Sequence, residues 1–400
     1  MRASIESTVG VVLAAKAVRT FCYGYLGILI PLHLAALGLD ARGIGLAVTL
    51  TLGASAALTL LVRRPAERFG SRAVLLALAA LVTVAGVLLA TARTPALVVL
   101  AAMLGNVAVS TGETGPFLSI EQVLIARAAA GRDLTLRMSL YTLVGYVAAG
   151  LGALTVAALP GEAAGGAGRD PLLFWLFAVS GGLQAVLYAR LPGVTVRPTA
   201  ASAGRRPSRR LIHRLAALFA LDSFAGGFVL QSLLVYWLHT RFALEPGEIG
   251  AVFSAAQLLT ACSLLLAAWA APRIGLVNTM VFSHLISNVL LVAMGFAPTA
   301  GLAVTLLLAR ALLSQMDVPT RQAFLMLVVE DDEREAATTL TNASRTVAQA
   351  VSPTLTGYVM QAVSLAAPFV LGGGLKIVYD LLLYRICRRA GPVSGRGPAG

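Results

Sequence analysis

Long apolar segments recur from one end of this chain to the other, and they restrict the possible folds more than any other feature. Many run for about 18 residues or more, enough for a helix to cross a hydrocarbon layer of about 30 Å. Only 12% of the residues are charged, and the mean hydropathy is +0.83. Strands of a membrane β-barrel would instead alternate apolar and polar residues. We therefore predict an all-α membrane protein with twelve spans, near residues 9–34, 42–62, 73–92, 95–119, 137–159, 171–191, 212–239, 248–270, 279–297, 300–326, 337–362 and 367–386.

Basic residues are concentrated in alternate connections between the predicted spans. The net charge of +13 therefore indicates membrane topology, and no nucleic-acid partner is expected. An even number of spans places both termini on one side, which the positive-inside rule makes the cytoplasm. The richness in Arg, Ala and Gly is typical of bacterial proteins, so we expect a multi-pass protein of a bacterial cytoplasmic (inner) membrane. The arginines on this side are Arg63, Arg64, Arg68, Arg72, Arg190, Arg197, Arg205, Arg206, Arg209, Arg210, Arg214, Arg385, Arg388, Arg389 and Arg396.

A polar linker interrupts the middle of the chain, and the segments on either side of it repeat. We predict an N-terminal six-helix bundle over 1–191, a basic cytoplasmic linker over 192–211, a C-terminal six-helix bundle over 212–389 and a flexible cytoplasmic tail over 390–400. Parallel repeats of six spans are typical of two-bundle secondary transporters. At shifts of 203 to 205 positions, Phe21, Gly24 and Tyr25 match Phe224, Gly227 and Phe228, Ile44-Gly45 matches Ile249-Gly250, Arg68-x-Gly70 matches Arg273-x-Gly275, and Pro116 matches Pro319.

The loop between spans 2 and 3 carries a motif of known type. Residues 64–72 read RPAERFGSR, in which Glu67, Arg68, Gly70 and Arg72 place an acidic residue, an arginine, a glycine and a second basic residue in order. This loop is similar to the signature loop of the major facilitator superfamily, which the chain also resembles in its span count and its two halves. The resemblance implies two pseudo-symmetric six-helix bundles, twelve transmembrane helices in all, around a central cavity, and transport by alternating access.

Two charges lie near the middle of spans that correspond by the repeat. Arg19 lies about ten residues into span 1, and Asp222 lies 203 positions later in span 7. Charged residues are costly inside a bilayer and usually face the protein interior or a watery cavity. We predict that Arg19 and Asp222 pair, directly or through a solute, and the alternative is an ion pair that only holds the halves together. Lys16 lies one turn from Arg19.

Spans 4 and 10 share a polar stripe at helical spacing. Arg310, Ser314, Asp317 and Arg321 lie on one face of a continuous helix. A matching stripe of Asn106, Ser110 and Glu113 lies 204 positions earlier. We interpret both stripes as cavity lining, with hydrogen bonding between helices as the alternative. Further candidates for the lining are the stripe of Asn342, Arg345 and Gln349 in span 11, which corresponds by the repeat to Tyr141 and Gly145 in span 5, and Gln257 in span 8. The aromatic residues Tyr23, Tyr236 and Trp237 are equally suited to line the pocket, to pack or to lie at the membrane interface.

The excess of basic residues near the predicted midplane favours an anionic or zwitterionic solute, because the forked guanidinium group suits carboxylates and phosphates. The predicted substrate-binding residues are Arg19, Lys16, Asn106, Asp222, Gln257, Arg310, Ser314 and Arg345. Proton coupling needs a buried carboxyl group near a base, because desolvation favours the neutral form and a nearby arginine the charged form. The candidates for this role are Asp222, Glu113 and Asp317.

A second set of charges is predicted at the cytoplasmic rim. The resemblance implies that such residues close a cytoplasmic gate, while the alternative is that they are solvated and serve topology alone. Glycine is also expected at position 70 for a physical reason, because a tight turn here requires a positive φ. The predicted gate consists of Glu67, Arg68, Gly70, Arg72, Glu121, Arg273 and Glu330.

These patterns predict a secondary transporter that exports a small organic solute by proton coupling. An importer or facilitator of an anionic metabolite and a multidrug efflux protein remain alternatives on the same fold, and a membrane sensor without transport is a third class. No phosphate-binding loop precedes Lys16 or Lys376, so neither ATP drive nor enzymatic activity is expected. The three cysteines and four histidines are scattered, and we expect no metal, no cofactor and a monomer whose partners are the solute, protons and the lipid bilayer.

Overall fold

In the computed structural model, the described residues are 2–108, 115–128, 133–159, 161, 169–191, 210–318, 320–321 and 334–390. The predicted linker over 192–211 lies almost wholly outside them, as do Ser110, Glu113, Pro319 and Glu330. The helices are α1 (Arg2–Ala36), α2 (Ala41–Leu61), α3 (Arg63–Phe69), α4 (Ser71–Thr91), α5 (Pro95–Leu104), α6 (Pro116–Ala128), α7 (Asp133–Ala158), α8 (Arg169–Ala189), α9 (Arg210–Gly227), α10 (Gln231–Phe242), α11 (Pro246–Ile274), α12 (Leu276–Gly295), α13 (Ala300–Leu313), α14 (Arg334–Ala362) and α15 (Ala367–Ala390).

Within the described part of the chain, nine helical segments are long and apolar enough to cross a membrane. The shorter apolar helices α5, α6 and α13 and the more polar helix α14 occupy the positions of spans 4, 10 and 11. The all-α membrane fold predicted from the sequence is therefore confirmed, and the helices are consistent with twelve spans.

Spans 4 and 10 are not the continuous helices that the sequence predicts. Helix α5 ends at Leu104, Asn106 follows with a φ of 49°, and α6 begins only at Pro116. Helix α13 likewise ends at Leu313, with Ser314 as its C-terminal cap. The prediction of one uninterrupted polar face in each span is therefore wrong. Span 7 is also interrupted, between α9 and α10.

The chain forms two compact units. The first unit comprises residues 1–201 and 230–258, and the second comprises 202–229 and 259–400. Both α11 and span 7 therefore contribute to both units, so these packing units differ from the halves that we predict from the repeat.

In the first unit, α1 packs against α7, and α4 packs against α8. Small residues let these backbones approach closely. A Cβ atom on Gly24 of α1 would overlap the carbonyl of Ala149 in α7, and one on Gly152 of α7 would overlap the carbonyl of Phe21. Helix α2 begins at an N-terminal cap, where Asp40 accepts a hydrogen bond of 2.8 Å from the amide of Gly43.

The second unit repeats these pairings. Helix α9 packs against α14, and α12 packs against α15, which are the repeat equivalents of the pairs in the first unit. A buried apolar cluster fixes α9, α12 and α15 together, and its members are Ile212, Leu215, Leu218, Phe219, Met280, Val281, Tyr379 and Leu383.

The motif loop and its repeat adopt the same backbone conformation. Gly70 has φ 87° and ψ 156°, and Gly275 has φ 88° and ψ 152°. This region is essentially restricted to glycine. The positive φ predicted for Gly70 is therefore confirmed, and each glycine ends one helix and begins the next.

Candidate functional site

A fully buried ion pair lies at the centre of the first unit. The Arg19 guanidinium donates two hydrogen bonds to the Glu121 carboxylate, Nη1 to Oε1 at 3.0 Å and Nη2 to Oε2 at 2.6 Å. Both side chains are 0% exposed. Tyr188 Oη donates to Oε1 at 2.6 Å and Tyr141 Oη donates to Oε2 at 2.7 Å. We call these four residues the Arg19 cluster. Its charges cancel, and both carboxylate oxygens accept two hydrogen bonds.

Aromatic rings surround the cations of this cluster. The Arg19 guanidinium lies 4.5 Å from the centre of the Phe117 ring, which stacks on Tyr188. The Lys16 ammonium lies 4.3 Å from the centre of the Tyr141 ring. Such contacts stabilise cations that have lost water. Lys16 is therefore placed one turn from Arg19 in α1, beside the same cluster.

These contacts correct one prediction. The carboxylate that binds Arg19 is Glu121, so the predicted direct pair of Arg19 with Asp222 is wrong, and each residue has partners within its own unit. Because α5 ends at Leu104 and α6 begins at Pro116, Glu121 lies in the second turn of a new helix, where it is buried. Its role in a cytoplasmic gate stays a prediction.

A larger charge network lies in the second unit. Asp222 in α9 accepts a hydrogen bond from Lys376 Nζ at 2.6 Å and another from Arg321 Nη1 at 3.2 Å. Arg321 also donates to Asp317 at 2.9 Å. All four side chains are buried, and we call them the Asp222 cluster. The predicted proton-coupling residues Asp222 and Asp317 thus share one arginine.

The Asp222 cluster continues into α12 and α15 through a histidine. His284 Nδ1 lies 2.7 Å from Asp380 Oδ1, and His284 Nε2 lies 3.5 Å from Lys376 Nζ and 3.7 Å from Asp222 Oδ1. Asn288, one turn along α12, donates to Asp380 Oδ2 at 2.9 Å. Unlike the Arg19 cluster, this network contains an imidazole, a group that can bind and release a proton.

Two further predicted substrate residues lie in the second unit. Arg345 in α14 donates from Nε to Ser223 Oγ at 2.9 Å. Arg310 in α13 is half-buried on the face that also carries the buried residues Leu307 and Ala311. Its Nε atom is buried and has no hydrogen-bond partner among the described residues. Ser314 Oγ donates to the carbonyl of Ala311 and caps the helix.

Sequence reasoning missed Tyr188, His284, Lys376 and Asp380. One signal could have found Lys376, because the segment Gly181-Gly-Leu-Gln184 recurs 192 positions later as Gly373-Gly-Leu-Lys376. Gln184, the equivalent of Lys376, is buried in the first unit, and neither polar atom of its amide has a hydrogen-bond partner among the described residues. The repeat thus places a neutral amide where the second unit has a cation.

The remaining substrate candidates, Gln257 and Asn106, lie near the residues that line a small apolar pocket in the first unit. Gln257 Nε2 donates to Gln231 Oε1 at 3.3 Å, and the Gln231 amide lies against Gly27, which lines the pocket. Asn106 is buried just after α5. The pocket is lined by Leu26, Gly27, Ile30, Pro31, Leu34, Ile44, Ala47, Val48, Thr51, Val99, Ala102, Val107, Ala108 and Ser232.

Two of the aromatic candidates make contacts within the first unit. Tyr23 Oη donates to the Gly105 carbonyl at 3.3 Å, where α5 ends, and Trp237 packs edge-on against Phe242. Tyr236 is half-buried. The contacts of Tyr23 and Trp237 are thus made with other residues of the protein.

The predicted gate residues are distributed over the ends of helices. Glu67 is half-buried and accepts a hydrogen bond of 3.4 Å from exposed Arg63. Arg68 and Arg72 are exposed on either side of Gly70. Arg273 lies over the Trp269 ring and donates to the Trp269 carbonyl. Exposure at these positions fits both predicted roles, gating and topology.

Chemically, the two clusters differ in what they can bind. The Arg19 cluster is neutral and has its hydrogen bonds satisfied. In the second unit, Arg310, Arg321, Arg345 and Lys376 oppose the three carboxylates of Asp222, Asp317 and Asp380 among the described buried and half-buried residues. The described buried and half-buried side chains of this unit therefore carry four basic groups against three carboxylates.

Known proteins share this fold. Residues 215–398 match the family model described as Major Facilitator Superfamily. The chain is 24% identical to the uncharacterized membrane protein YJR124C of Saccharomyces cerevisiae, over 92% of each chain. A mutant of the nucleoside transporter NupG superposes with a TM-score of 0.75 and 14% identity, over 94% of this chain and 99% of that one. The human organic anion transporter MFSD10 superposes with a TM-score of 0.65 and 18% identity, over 95% and 99%.

Proposed function

We propose that this chain is a member of the Major Facilitator Superfamily, whose family model matches residues 215–398, and that it is a secondary transporter of a small organic anion, driven by protons. The family and the fold indicate transport of a small solute and not catalysis. The finer assignment depends on one observation, the buried Nε atom of Arg310 that has no partner in the described part of the chain. A buried donor without a partner is costly, and an anionic group would satisfy it.

The charge count of the second unit supports an anion. Arg345 donates a hydrogen bond to the neutral hydroxyl of Ser223, and Arg310 lies on the inner face of α13. An organic anion that meets these guanidinium groups would neutralise the excess positive charge. MFSD10, whose fold the chain shares, is named as an organic anion transporter, which agrees with this proposal.

Ligand-dependent thermal stability of detergent-purified protein tests the substrate class. The panel consists of monocarboxylates, dicarboxylates, organic phosphates and cationic dyes at equal concentration. We expect an anion to raise the melting temperature, since a ligand at about a hundred times its Kd stabilises by about 2.7 kcal/mol. Arg310→Gln should abolish that rise, whereas the exposed, matched control Arg241→Gln should keep it. Stabilisation by cationic dyes alone would refute the anion and favour multidrug efflux.

Proton coupling is supported by the buried carboxylates of Asp222 and Asp317, which lie beside bases. The third candidate, Glu113, lies outside the described residues. In proteoliposomes, collapse of the proton gradient with an uncoupler should abolish accumulation of the anion. Accumulation that persists unchanged would show that protons do not drive it.

We further propose that the protein acts as a monomer in a bacterial cytoplasmic membrane, exports its solute and has both termini in the cytoplasm. The arginines of alternate loops support this orientation. Terminal fusions to a reporter that is active only in the cytoplasm test the topology. Comparison of uptake into inside-out and right-side-out vesicles separates export from import of an anionic metabolite.

A further inference from the structure

His284 lies between two buried carboxylates in the second unit. Its Nδ1 atom lies 2.7 Å from Asp380 Oδ1, and its Nε2 atom lies 3.7 Å from Asp222 Oδ1. The Lys376 ammonium lies between them, 3.5 Å from His284 Nε2 and 2.6 Å from Asp222 Oδ1. All four side chains are buried, so these distances govern which groups hold charge.

The short distance to Asp380 fixes the proton of the neutral imidazole. An ionised Asp380 only accepts hydrogen bonds, so we assign the proton of the neutral ring to Nδ1, which then donates it to Asp380; the Asn288 amide nitrogen lies 3.2 Å from the same Nδ1 atom. Asn288 holds the other oxygen of Asp380 at 2.9 Å and so fixes the carboxylate. In the neutral ring Nε2 is therefore an acceptor that faces Lys376. A second proton would turn Nε2 into a donor that faces Asp222.

Charged and titratable groups reach His284 from each helix that packs around it. Helix α15 presents Lys376, Asp380 and Tyr379, whose ring meets the imidazole edge-on at 5.9 Å. Helix α9 presents Asp222, which Arg321 also contacts from beyond α13. Helix α13, the other helix packed against α12, carries Arg310 as its only ionisable residue. Among these side chains, the imidazole of His284 has a ring nitrogen that can take up a proton while its other nitrogen stays bonded to Asp380.

We infer that His284 is the proton-binding group of this transporter and that its protonation displaces Lys376 from Asp222. This inference rests on the proposed proton coupling and replaces Asp222 and Asp317 as the primary acceptors. Protonated His284 and Lys376 are like charges 3.5 Å apart that compete for one carboxylate oxygen, so both cannot keep their positions. The proton goes from water to Nε2, and no other covalent bond changes.

The displaced contact lies next to the interruption of span 7. Asp222 precedes the end of α9 at Gly227 by five residues, and α10 begins at Gln231. The Lys376 ammonium lies 3.7 Å from the position that a Cβ atom on Gly226 would take. Loss of the Lys376–Asp222 bond therefore loosens the last turns of α9. Protonation of His284 thus increases the mobility of the backbone at the interruption between α9 and α10.

Hydrogen–deuterium exchange of detergent-purified protein tests this inference without any solute. Peptides that cover residues 222–231 are followed between about pH 5 and 8, after correction for the intrinsic pH dependence of exchange. We expect exchange in these peptides to become about tenfold faster on acidification, because local opening follows the lost ion pair. His284→Gln should remove this pH dependence, and the exposed control His213→Gln should retain it.

Asp380→Asn provides a second variant in case His284→Gln does not fold. It removes the carboxylate that stabilises the charged imidazole, and it should also flatten the pH profile. Unchanged exchange across this pH range, or an unchanged profile in the folded His284→Gln protein, overturns the inference. Because no solute is used, the profile is present even if the transported solute is not an anion. Conversely, proton-driven anion transport without the profile would keep the proposed function and reject His284.

Discussion

The two units place opposite charges at the same point of the repeat, Arg19 in the first and Asp222 in the second, and they surround them differently. Arg19 has one carboxylate, Glu121, which binds both of its terminal nitrogens and two tyrosines. Asp222 is shared between Lys376 and Arg321, and His284 lies within reach. The first arrangement has one stable configuration of charges, whereas the second can exchange partners.

This difference shows how a duplicated fold can divide its tasks. A buried, balanced and fully hydrogen-bonded pair is suited to hold helices together, because neither charge can leave without a large loss. A network with competing cations and a histidine is suited to respond to a proton. We therefore propose a structural role for the Arg19 cluster and the coupling role for the Asp222 cluster.

The largest effect is expected when one charge of the Arg19 cluster is removed, and this change tests its structural role directly. Glu121→Gln leaves Arg19 buried without its carboxylate, and we expect a loss of about 3–5 kcal/mol in the free energy of unfolding. Denaturation of the detergent-solubilised protein with increasing SDS measures it. The exposed control Glu248→Gln should change little, and the double variant Arg19→Met/Glu121→Leu should recover most of the loss. A stable Glu121→Gln protein would show that the pair does not hold the unit.

In the second unit, the corresponding change should cost less. Asp222→Asn leaves Arg321 bonded to Asp317 at 2.9 Å and Lys376 beside His284, so the remaining charges can rearrange. We expect a loss of about 2 kcal/mol in the same denaturation measurement. Asp170→Asn, which removes the partner of Arg169 at the end of α8, is the matched control. An Asp222→Asn loss equal to that of Glu121→Gln would remove the distinction between the clusters.

The motif glycines should behave alike in the two units. Gly70→Ala and Gly275→Ala each force a side chain into a backbone region reserved for glycine, and each should destabilise by about 1 kcal/mol. Gly53→Ala is the control, because Gly53 is helical with nothing near its missing Cβ and should become slightly more stable. If the two alanine variants lose very different amounts of unfolding free energy, Gly70 and Gly275 are equivalent in backbone conformation but not in their contribution to stability.

The smallest expected effect has the opposite sign. Gln184→Leu replaces a buried amide that has no partner in the described structure, so we expect the unfolding free energy to rise by up to about 1 kcal/mol. Its repeat equivalent, Lys376→Leu, should destabilise because Asp222 and His284 lose a partner. Destabilisation by Gln184→Leu would mean that the amide binds water or a solute in the membrane.

Much of the fold follows from the sequence, because span length and the loop arginines are strong local signals. The left-handed turn at Gly70 also follows, since its repeat at Gly275 needs the same conformation. The partner of Arg19 does not follow, because it depends on where span 4 is interrupted. Gly115-Pro116 marks that restart, with a φ of 118° at Gly115 and proline at the first helical position, yet the apolar run on either side hides it.

The candidate site was less predictable for a second reason. Burial of Asp222 follows from its place in span 7, but its partners come from three other segments more than sixty residues away in sequence. His284 and Lys376 each look like isolated polar residues in apolar helices. Only the packing of α9, α12 and α15 brings them together, and a single sequence does not specify which faces meet.

Proton movement across proteoliposome membranes decides whether the Asp222 cluster couples protons to an anion. A pH-sensitive dye inside the vesicles records the internal pH while the anion that most stabilises the purified protein is added outside. Wild type and the Asp170→Asn control should change the internal pH together with anion transport, and Asp222→Asn should lose the pH change. Equal pH changes in wild type and Asp222→Asn, or anion transport in wild type without proton movement, would show that the Asp222 cluster does not couple the two.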